Sequence, residues 1–402
     1  MQQDTFPFYN PEFFCDGFPL NGQEDLPTET SFVKSVNPED GRAYWFSVTY
    51  DALLSMSTSP QSFSSELQTI LIDTPGEDEL DRQRNFLLNM DPPRHKKMRD
   101  NVSRAFTTKN ILRHEAMIRE VVTRVFDGIA PDTPFDAVTD LATPIALEII
   151  CRIVGVDPKH LAFINACTNR MIYTDDPSFC PSPIEGKLAA SQLFIFAMKS
   201  YQDRDNVSSD TVLALLCNSL NEGENITQEE FCFLFVLILA AGYETTRSMI
   251  NSMLYLLAEN PDQLDKLRRG ECDLDNAVEE FLRYEPPIYQ MCRTAVDDIV
   301  FKGCPMHRGE KIGMLYHAAN HDEKVFNEPY HLDLARENAD KHLSFGIGRH
   351  NCLGATLARL ELKIVLERLV KDFPRITIHD KVRIRSNFIN GLKTMKTELH
   401  SL

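Results

Sequence analysis

The sequence predicts a mainly α fold with small β-sheets, because its helical patterns are long and its strand patterns are short. Thr227 and Glu230 form a capping box at the start of an apolar segment, and a helix of roughly thirty residues is expected from there to Asn260. Apolar residues also recur at helical spacing across residues 353–373. Because no linker-like or repetitive tract interrupts the chain, we expect a single domain over residues 1–402.

The shorter elements follow from local composition. Residues 44–53 are rich in β-branched and aromatic side chains and predict a strand or hairpin, while turn residues within 299–312 predict a second sheet element. A further helix is expected over 275–284, because two prolines follow it. The longest apolar run, 231–242, is well short of the roughly 20 residues that a membrane-spanning helix needs. It predicts a buried helix.

The charge and the cysteine content exclude several classes of protein. A formal net charge of −17 argues against general nucleic-acid binding, which needs a basic surface. The ten cysteines include no Cys-x-x-Cys pair, and the polar and aromatic N-terminus does not resemble a secretory leader. We therefore expect a soluble cytoplasmic protein without a membrane anchor.

Cys352 stands in a glycine-rich segment, 345–354, that reads Phe-Gly-Ile-Gly-Arg-His-Asn-Cys-Leu-Gly. Glycine lets the backbone approach a bulky group closely, and a helix that begins just after the cysteine would stabilise a thiolate with its positive end. Both effects favour metal ligation. Two alternatives remain open here: a cysteine that is merely a small buried hydrophobe, and a zinc site formed by His342, His350 and Cys352.

This segment resembles the haem-binding signature of the cytochrome P450 superfamily. The resemblance implies the P450 fold, with one domain shaped like a triangular prism, and a haem b cofactor (iron protoporphyrin IX). It implies that Cys352 is the thiolate ligand of the iron and that Phe345, Gly346 and Gly354 border the haem. In this family the thiolate favours cleavage of the O–O bond, so O2 is the implied co-substrate.

The predicted long helix contains the sequence Ala-Gly-Tyr-Glu-Thr-Thr at 241–246, which places polar groups in an apolar stretch. One interpretation is that Thr245 bonds to a carbonyl one turn earlier while Glu244 points to solvent. The hexad also resembles the oxygen-activation motif of the family. That resemblance implies that Gly242 permits a local widening of the helix, that Thr245 and Glu244 relay protons, and that Ala241 borders the haem.

Glu280 and Arg283 are opposite charges spaced three apart on one helix face. An exposed pair of this kind contributes only a few tenths of a kcal/mol. The two residues resemble the Glu-x-x-Arg pair of the family, with Arg336 as the third member. The resemblance implies a role in folding and haem retention.

A basic motif follows the prolines at 92 and 93, and it places a histidine and an arginine one helical turn apart. A cationic helix face of this kind is often simply solvated. The family resemblance instead assigns four residues to the haem propionates, a role that suits guanidinium groups. These residues are His95, Arg99, Arg293 and His350.

The family resemblance also predicts an apolar substrate pocket, although each of its residues could equally belong to the core. The predicted lining residues are Phe86, Leu87, Leu237, Ile288, Tyr289 and Phe388. Segments 168–177, 242–247 and 387–391 look like those of bacterial members that hydroxylate terpenoids, sterols or branched lipids. Other secondary-metabolite scaffolds remain an alternative substrate class.

Electrons are expected from a separate protein, because the chain has no flavin or nicotinamide fingerprint and no cluster-type cysteine set. We predict a small ferredoxin that is served by a ferredoxin reductase. A basic surface could receive an acidic partner, although single-sign clusters also occur without partners. The basic residues are Lys96, Lys97, Arg104, Arg349, Arg359 and Lys363.

The resemblance thus predicts a monooxygenase that inserts one oxygen atom from O2 into an apolar small molecule. Two alternatives remain. A peroxide-driven haem-thiolate enzyme could do without the acid and alcohol of Glu244 and Thr245, and a haem sensor or carrier would show no turnover.

Overall fold

The computed structural model describes residues 6–18, 30–203, 211–221 and 226–401. Two compact units are present, each formed by segments that are distant in the chain. Unit 1 comprises Met1–Lys96, Glu279–Cys352 and Arg385–Asn390. Unit 2 comprises Lys97–Val278, Leu353–Ile384 and Gly391–Leu402.

Helices dominate the described residues, and the sheets are small, so the mainly α prediction is confirmed. The helices are α1 (Tyr50–Ser57), α2 (Glu77–Gln83), α3 (Arg94–Ser103), α4 (Thr108–Leu112), α5 (Glu115–Asp127), α6 (Thr143–Val154), α7 (Leu161–Ile172), α8 (Pro183–Gln202), α9 (Val212–Asn221), α10 (Gln228–Glu259), α11 (Pro261–Arg268), α12 (Leu274–Tyr284), α13 (Tyr316–Asn320) and α14 (Ala355–Asp372). The strands are β1 (Phe32–Val36), β2 (Ala43–Ser47), β3 (Phe63–Ser64), β4 (Phe135–Asp136), β5 (Gln290–Ala295), β6 (Ile299–Phe301), β7 (Cys304–Met306), β8 (Lys311–Leu315), β9 (Arg375–Arg383) and β10 (Leu392–His400).

Unit 1 is built on a five-stranded sheet with the order β1-β2-β8-β5-β3. Strands β2 and β8 are parallel, and the other neighbours are antiparallel. Strands β6 and β7 form a separate hairpin. An aromatic core lies against this sheet, and it includes residues from the N-terminal segment. Its aromatic members are Phe8, Phe14, Tyr44, Phe46 and Tyr289.

The strand predictions for unit 1 are partly confirmed. The segment 299–312 contains β6, β7 and the start of β8, as expected. The segment 44–53 forms β2 as expected, but α1 begins at Tyr50, so the strand prediction is wrong for its last residues. The Thr49 side chain accepts a hydrogen bond from the backbone of Ala52, and this N-cap starts a helix in spite of the β-prone composition.

Unit 2 is built around α10, which packs against α6, α8, α14 and β9. The capping box of Thr227 and Glu230 is present, and the helix ends at Glu259 with Asn260 as its cap, as predicted. This helix is the one candidate membrane span among the described residues, with a mean hydropathy of 1.3 in its most apolar window. Because 78% of that window is buried inside the protein, α10 has the character of a core helix.

The remaining elements complete the two units. Strands β4, β10 and β9 form a three-stranded sheet in unit 2. Helix α12 covers the predicted 275–284, and α14 lies within the predicted 353–373. The turn between β9 and β10 contributes residues 385–390 to unit 1, where they meet the segment that precedes β5.

Candidate active site

The glycine-rich loop around Cys352 is folded back on itself by backbone bonds. The backbone N–H of Cys352 donates to the carbonyl of Phe345 at 2.8 Å. Gly346 and Gly348 have φ values of +65° and +74°, which side chains rarely tolerate. A Cβ on Gly348 would also lie 2.9 Å from the carbonyl oxygen of Ser57. The glycines are therefore required by the path of the loop.

Cys352 is accessible in this loop. It is the exposed member of the ten cysteines, all of which lie in the described part of the chain, so the buried-hydrophobe alternative is wrong. The zinc alternative fails as well, because His342 is engaged elsewhere. Its Nε2 lies 3.1 Å from a carboxylate oxygen of Glu279, and its Nδ1 accepts from the backbone of Ser344. An accessible thiol in a tight glycine loop fits the thiolate ligand of a haem.

Unit 1 also brings together predicted propionate ligands. The rings of His95 and His350 have centroids 4.2 Å apart, and His95 is 2% exposed. Arg293 is buried on β5, and its NH1 donates to the carbonyl of Cys292 at 2.8 Å. Burial lowers the pKa of Arg293, and the positive charge of Arg349 lowers it further.

This buried guanidinium is short of negative charge. No carboxylate of the described residues forms an ion pair with Arg293, and buried cations ordinarily require such a partner. A propionate group would supply the missing charge, so the donor set fits a haem. Arg99 lies one turn beyond His95 on α3, in unit 2, and is partly exposed.

Glu280, Arg283 and Arg336 meet in a buried cluster. Arg283 holds the Glu280 carboxylate with two bonds, from Nε at 2.6 Å and from NH2 at 2.8 Å. Arg336 Nε donates to the same carboxylate at 3.0 Å. Arg283 also donates to the carbonyl of Asn320, the last residue of α13, and Arg336 donates to that of Asn327 in the loop that follows. The carboxylate thus fixes that loop to α12.

Helix α10 exposes one narrow stripe. Between residues 231 and 257, all of them described, every position is buried except four. These positions are Leu237, Ala241, Gly242 and Thr245. Their spacing places them on one helix face. The stripe coincides with residues that the family resemblance assigned to the haem, the substrate and the oxygen chemistry.

Thr245 and Glu244 have different environments. The Thr245 hydroxyl donates to the carbonyl of Ala241, one turn earlier, at 2.8 Å. Glu244 is 0% exposed, so the solvent-pointing alternative is wrong. Of these two residues, therefore, Thr245 lies in the accessible stripe and Glu244 does not.

The Glu244 carboxylate is held inside unit 2 by two donors. Its Oε2 accepts from the hydroxyl of Tyr173 and lies 2.6 Å from NH2 of Arg247. Arg247 also donates to the hydroxyls of Tyr173 at 2.6 Å and Tyr243 at 2.9 Å. Burial raises the pKa of Glu244, and the charge of Arg247 opposes this shift. The other oxygen, Oε1, is buried and has no hydrogen-bond partner among the described residues.

Gly242 has a packing role that the sequence did not reveal. Helix α10 is α-helical without interruption through this position, so the expected local widening is not observed. A Cβ at Gly242 would lie 2.7 Å from Cδ1 of Ile150 on α6. The glycine is needed because the two helices pack closely there.

The predicted pocket residues lie in four different places. Leu237 lies in the stripe of α10, while a β-bridge between Ile288 and Ile389 brings the segment of Ile288 next to that of Phe388. Tyr289 belongs to the aromatic core instead, with its ring centroid 4.6 Å from that of Phe14. Its pocket assignment is therefore not retained. The last two residues lie in the segment before α3: Phe86, which is partly exposed, and Leu87, which is buried.

Sequence reasoning missed Tyr173 and Arg247. Arg247 carried a usable signal, because a cation three residues after Glu244 lies on the same helix face. Tyr173 carried none, since it is 71 residues away from Glu244 in the chain.

Replacing Tyr173 by Phe is expected to destabilise the protein by about 1–3 kcal/mol, because it removes a donor to a buried carboxylate. The Tyr173 hydroxyl lowers the pKa of Glu244, so its loss raises that pKa further. A carboxylate loses a stronger bond than a carboxylic acid does, so the cost is larger above the folded-state pKa of Glu244 than below it. Urea unfolding at acidic and neutral pH measures this difference.

Tyr284→Phe is the matched control, because the hydroxyl of Tyr284 donates to the neutral carbonyl of Tyr330 at 3.1 Å. The loss of unfolding free energy in Tyr284→Phe should therefore be the same at acidic and neutral pH. An equal pH dependence in the two variants would contradict the assignment of the charged bond to Glu244.

Comparison with known proteins identifies the family. The Cytochrome P450 family model matches residues 183–270 and 274–399. The methyl-branched lipid omega-hydroxylase of Mycobacterium bovis is 34% identical over 365 residues, which cover 88% of this chain and 84% of the relative. The steroid C26-monooxygenase of Rhodococcus jostii is 29% identical over 408 residues, which cover 98% of this chain and 85% of the relative.

A solved structure agrees with these relatives. The cytochrome P450 of Mycobacterium marinum in complex with pseudoionone has a TM-score of 0.89 and 25% identity, over 99% of each chain. The predicted fold and the resemblance to the cytochrome P450 superfamily are thereby confirmed. The chain belongs to the cytochrome P450 family, and it is a haem- and O2-dependent P450 monooxygenase.

Proposed function

We propose that this monooxygenase hydroxylates an extended apolar molecule of the branched-lipid, terpenoid or sterol class. The observation that carries the proposal is the accessible stripe of α10, which offers apolar surface at Leu237 and Ala241 and one hydroxyl at Thr245. Such a surface suits a hydrocarbon better than a polar substrate. The names of the relatives support the class, since one acts on methyl-branched lipids and another on a steroid.

The haem b of the proposed site would be held by residues of this chain in separate roles. Cys352 would ligate the iron through its sulfur, and the backbone of the 345–354 loop would approach the macrocycle. The propionates would be bound by Arg293, His95, His350 and Arg99. When bound, haem supplies electron transfer and oxygen activation, which thiolate ligation favours. The uncompensated charge of Arg293 would then be neutralised by a carboxylate.

Proton delivery is assigned to Glu244 and Thr245. Glu244 would take up a proton at Oε1, the atom without a hydrogen-bond partner among the described residues, and pass it through ordered water to Oγ1 of Thr245. Burial raises the pKa of Glu244, and this shift favours such proton uptake. Arg247 and Tyr173 would hold the carboxylate in position meanwhile.

A ferredoxin and its reductase are the proposed source of electrons, and the cytoplasm is the proposed compartment. Lys97 and Arg104 are exposed basic residues in a strongly acidic chain, so they would attract an acidic partner locally. The chain's composition supports the same arrangement, because it lacks a nucleotide-binding fingerprint of its own.

The experiment that tests the proposed function is a titration of the purified ferric protein with phytanic acid, cholestenone and a polar control such as glucose. We expect the two apolar compounds to shift the spin state of the iron and to stimulate consumption of reduced nicotinamide through added ferredoxin and reductase. A protein that responds to neither compound would contradict the substrate class.

Thr245→Ala is expected to lower O2-dependent turnover by roughly a hundredfold, because a positioned proton donor contributes on this scale. Turnover driven by peroxide should fall much less, since it does not need the same protons. The measurement compares product formed per nicotinamide consumed with product formed from peroxide. Equal turnover of variant and wild type with peroxide alone, and none with ferredoxin in either, would favour a peroxide-driven enzyme.

A further inference from the structure

The N-terminal strap, which we define as residues 6–18, packs as an aromatic layer on unit 1. Phe8 and Phe14 are 0% exposed. The ring of Phe14 lies 4.6 Å from that of Tyr289, and the ring of Phe18 stacks 4.2 Å from that of His317. The strap is therefore part of the core and is fixed by its own apolar burial.

Two buried amide side chains attach the strap to neighbouring segments. Gln290 Nε2 donates to the carbonyl of Phe8 at 2.7 Å and to that of Asn387 at 3.1 Å. Asn387 Nδ2 donates to the carbonyl of Tyr9 at 2.7 Å. Gln290 and Asn387 are 2% and 6% exposed, so these bonds are shielded from competing water.

The same two segments are bonded directly to each other. The backbone N–H of Tyr289 donates to the carbonyl of Phe388 at 2.8 Å, and that of Asn390 donates to the carbonyl of Pro287 at 2.9 Å. Ile288 is bridged to Ile389 between these bonds. The strap, the segment 287–290 and the segment 386–390 therefore form one hydrogen-bonded assembly within unit 1.

Gly313 on β8 packs directly against the side chain of Gln290. A Cβ there would lie 2.5 Å from Oε1 of Gln290 and 2.6 Å from Cδ1 of Phe46. Because the sheet backbone approaches so closely, the Gln290 amide has little room to turn away from the strap.

We propose that the N-terminal strap determines regiospecificity, through Gln290 and Asn387 as positioning residues. Because both amides donate to carbonyls of the strap, the strap sets the positions of the neighbouring residues Ile288 and Phe388. These two side chains select which carbon of a long apolar substrate is presented for oxidation. This inference rests on the proposed function and on the predicted pocket, since it takes Ile288 and Phe388 as substrate-facing residues.

The test uses the full-length holoenzyme with two single substitutions, Gln290→Leu and Asn387→Ala, which we call the strap variants because each removes a side-chain bond to the strap. Asn387→Ala is the milder change and serves if Gln290→Leu reduces folding. Asn338→Ala is the matched control, because its Nδ2 makes the same kind of bond, to the carbonyl of Val325 at 2.8 Å, elsewhere in unit 1. Hydrogen exchange should quicken at least about tenfold at the amides of Tyr289 and Asn390 in the strap variants, and not in the control.

The second readout is the distribution of products from phytanic acid. We expect the ratio of terminal to internal hydroxylation to shift by at least about threefold in both strap variants, while the control keeps the ratio of the wild type. Unchanged exchange at Tyr289 and Asn390, or a product ratio equal to that of the control, would overturn the proposal. If the wild type oxidises neither phytanic acid nor cholestenone, the proposed substrate class fails, and the exchange measurement alone decides whether the strap positions these segments.

Discussion

Cys352→Ser should abolish monooxygenase activity, with a loss of at least about a thousandfold, the scale on which removing an indispensable reacting group acts. The reason is the proposed sulfur–iron bond, whose electron-rich thiolate favours O–O cleavage. A serine oxygen donates less electron density to iron than a thiolate sulfur does and cannot substitute for it in O–O cleavage. The absorption spectrum of the reduced protein with carbon monoxide should therefore lose the red-shifted band that marks a thiolate opposite the gas.

A second cysteine provides the control for this substitution. Cys304 lies on β7, is partly exposed, and like Cys352 belongs to unit 1. Cys304→Ser should leave both the spectrum and turnover as in the wild type. An unchanged carbon monoxide spectrum in Cys352→Ser would remove the basis of the haem-thiolate assignment.

The parts of the fold that local sequence determines were predictable. The capping box at Thr227 and the proline after Asn260 set the ends of α10, because helix termini are governed by nearby residues. The loop of Cys352 was recognisable for a similar reason, since the positive φ angles of Gly346 and Gly348 require glycine. Composition misled at Tyr50, where one capping side chain outweighed the β-branched and aromatic content around it.

Side-chain partners from distant segments were not predictable. The hydroxyl of Tyr173 reaches Glu244 only because α7 and α10 are brought together by the folded chain. Tyr289 was assigned to the pocket from the family resemblance, and no local pattern indicated that Phe14 of the distant N-terminal strap packs against its ring. The close contact of Gly242 with Ile150 likewise depends on a helix crossing that no local pattern encodes.

Glu280→Ala is expected to lower the free energy of unfolding by about 3–5 kcal/mol, because it leaves two arginines buried without their shared carboxylate. The side chains of Glu280 and Arg283 are both 0% exposed, and that of Arg336 is 8% exposed. Water cannot easily replace the lost charge at such a site. Urea unfolding of the apoprotein and the holoprotein measures the change.

The carboxylate also organises the backbone around it, so its loss should extend beyond the ion pairs. It accepts the backbone N–H of Asp333 at 3.1 Å, while Arg283 donates to the carbonyl of Pro329 at 2.9 Å and Arg336 to that of His331 at 2.9 Å. Without the carboxylate, Arg283 and Arg336 are no longer held in place, and their hydrogen bonds to these backbone carbonyls weaken. Because the same loop leads along the chain to the Cys352 segment, we expect haem to transfer faster from Glu280→Ala than from the wild type to excess apomyoglobin.

Two variants separate burial from simple loss of a charge pair. Asp275→Ala, on the same helix α12, breaks an ion pair with Lys363. The Asp275 side chain is 68% exposed, so this substitution should lower the free energy of unfolding by no more than about 1 kcal/mol. Glu280→Gln keeps the size of the side chain and one acceptor, so its cost should fall between those of the two alanine variants. If Glu280→Ala proved no more destabilising than Asp275→Ala, the cluster could not be what holds the loop to α12, and Arg283 and Arg336 would have to be stabilised by the backbone carbonyls alone.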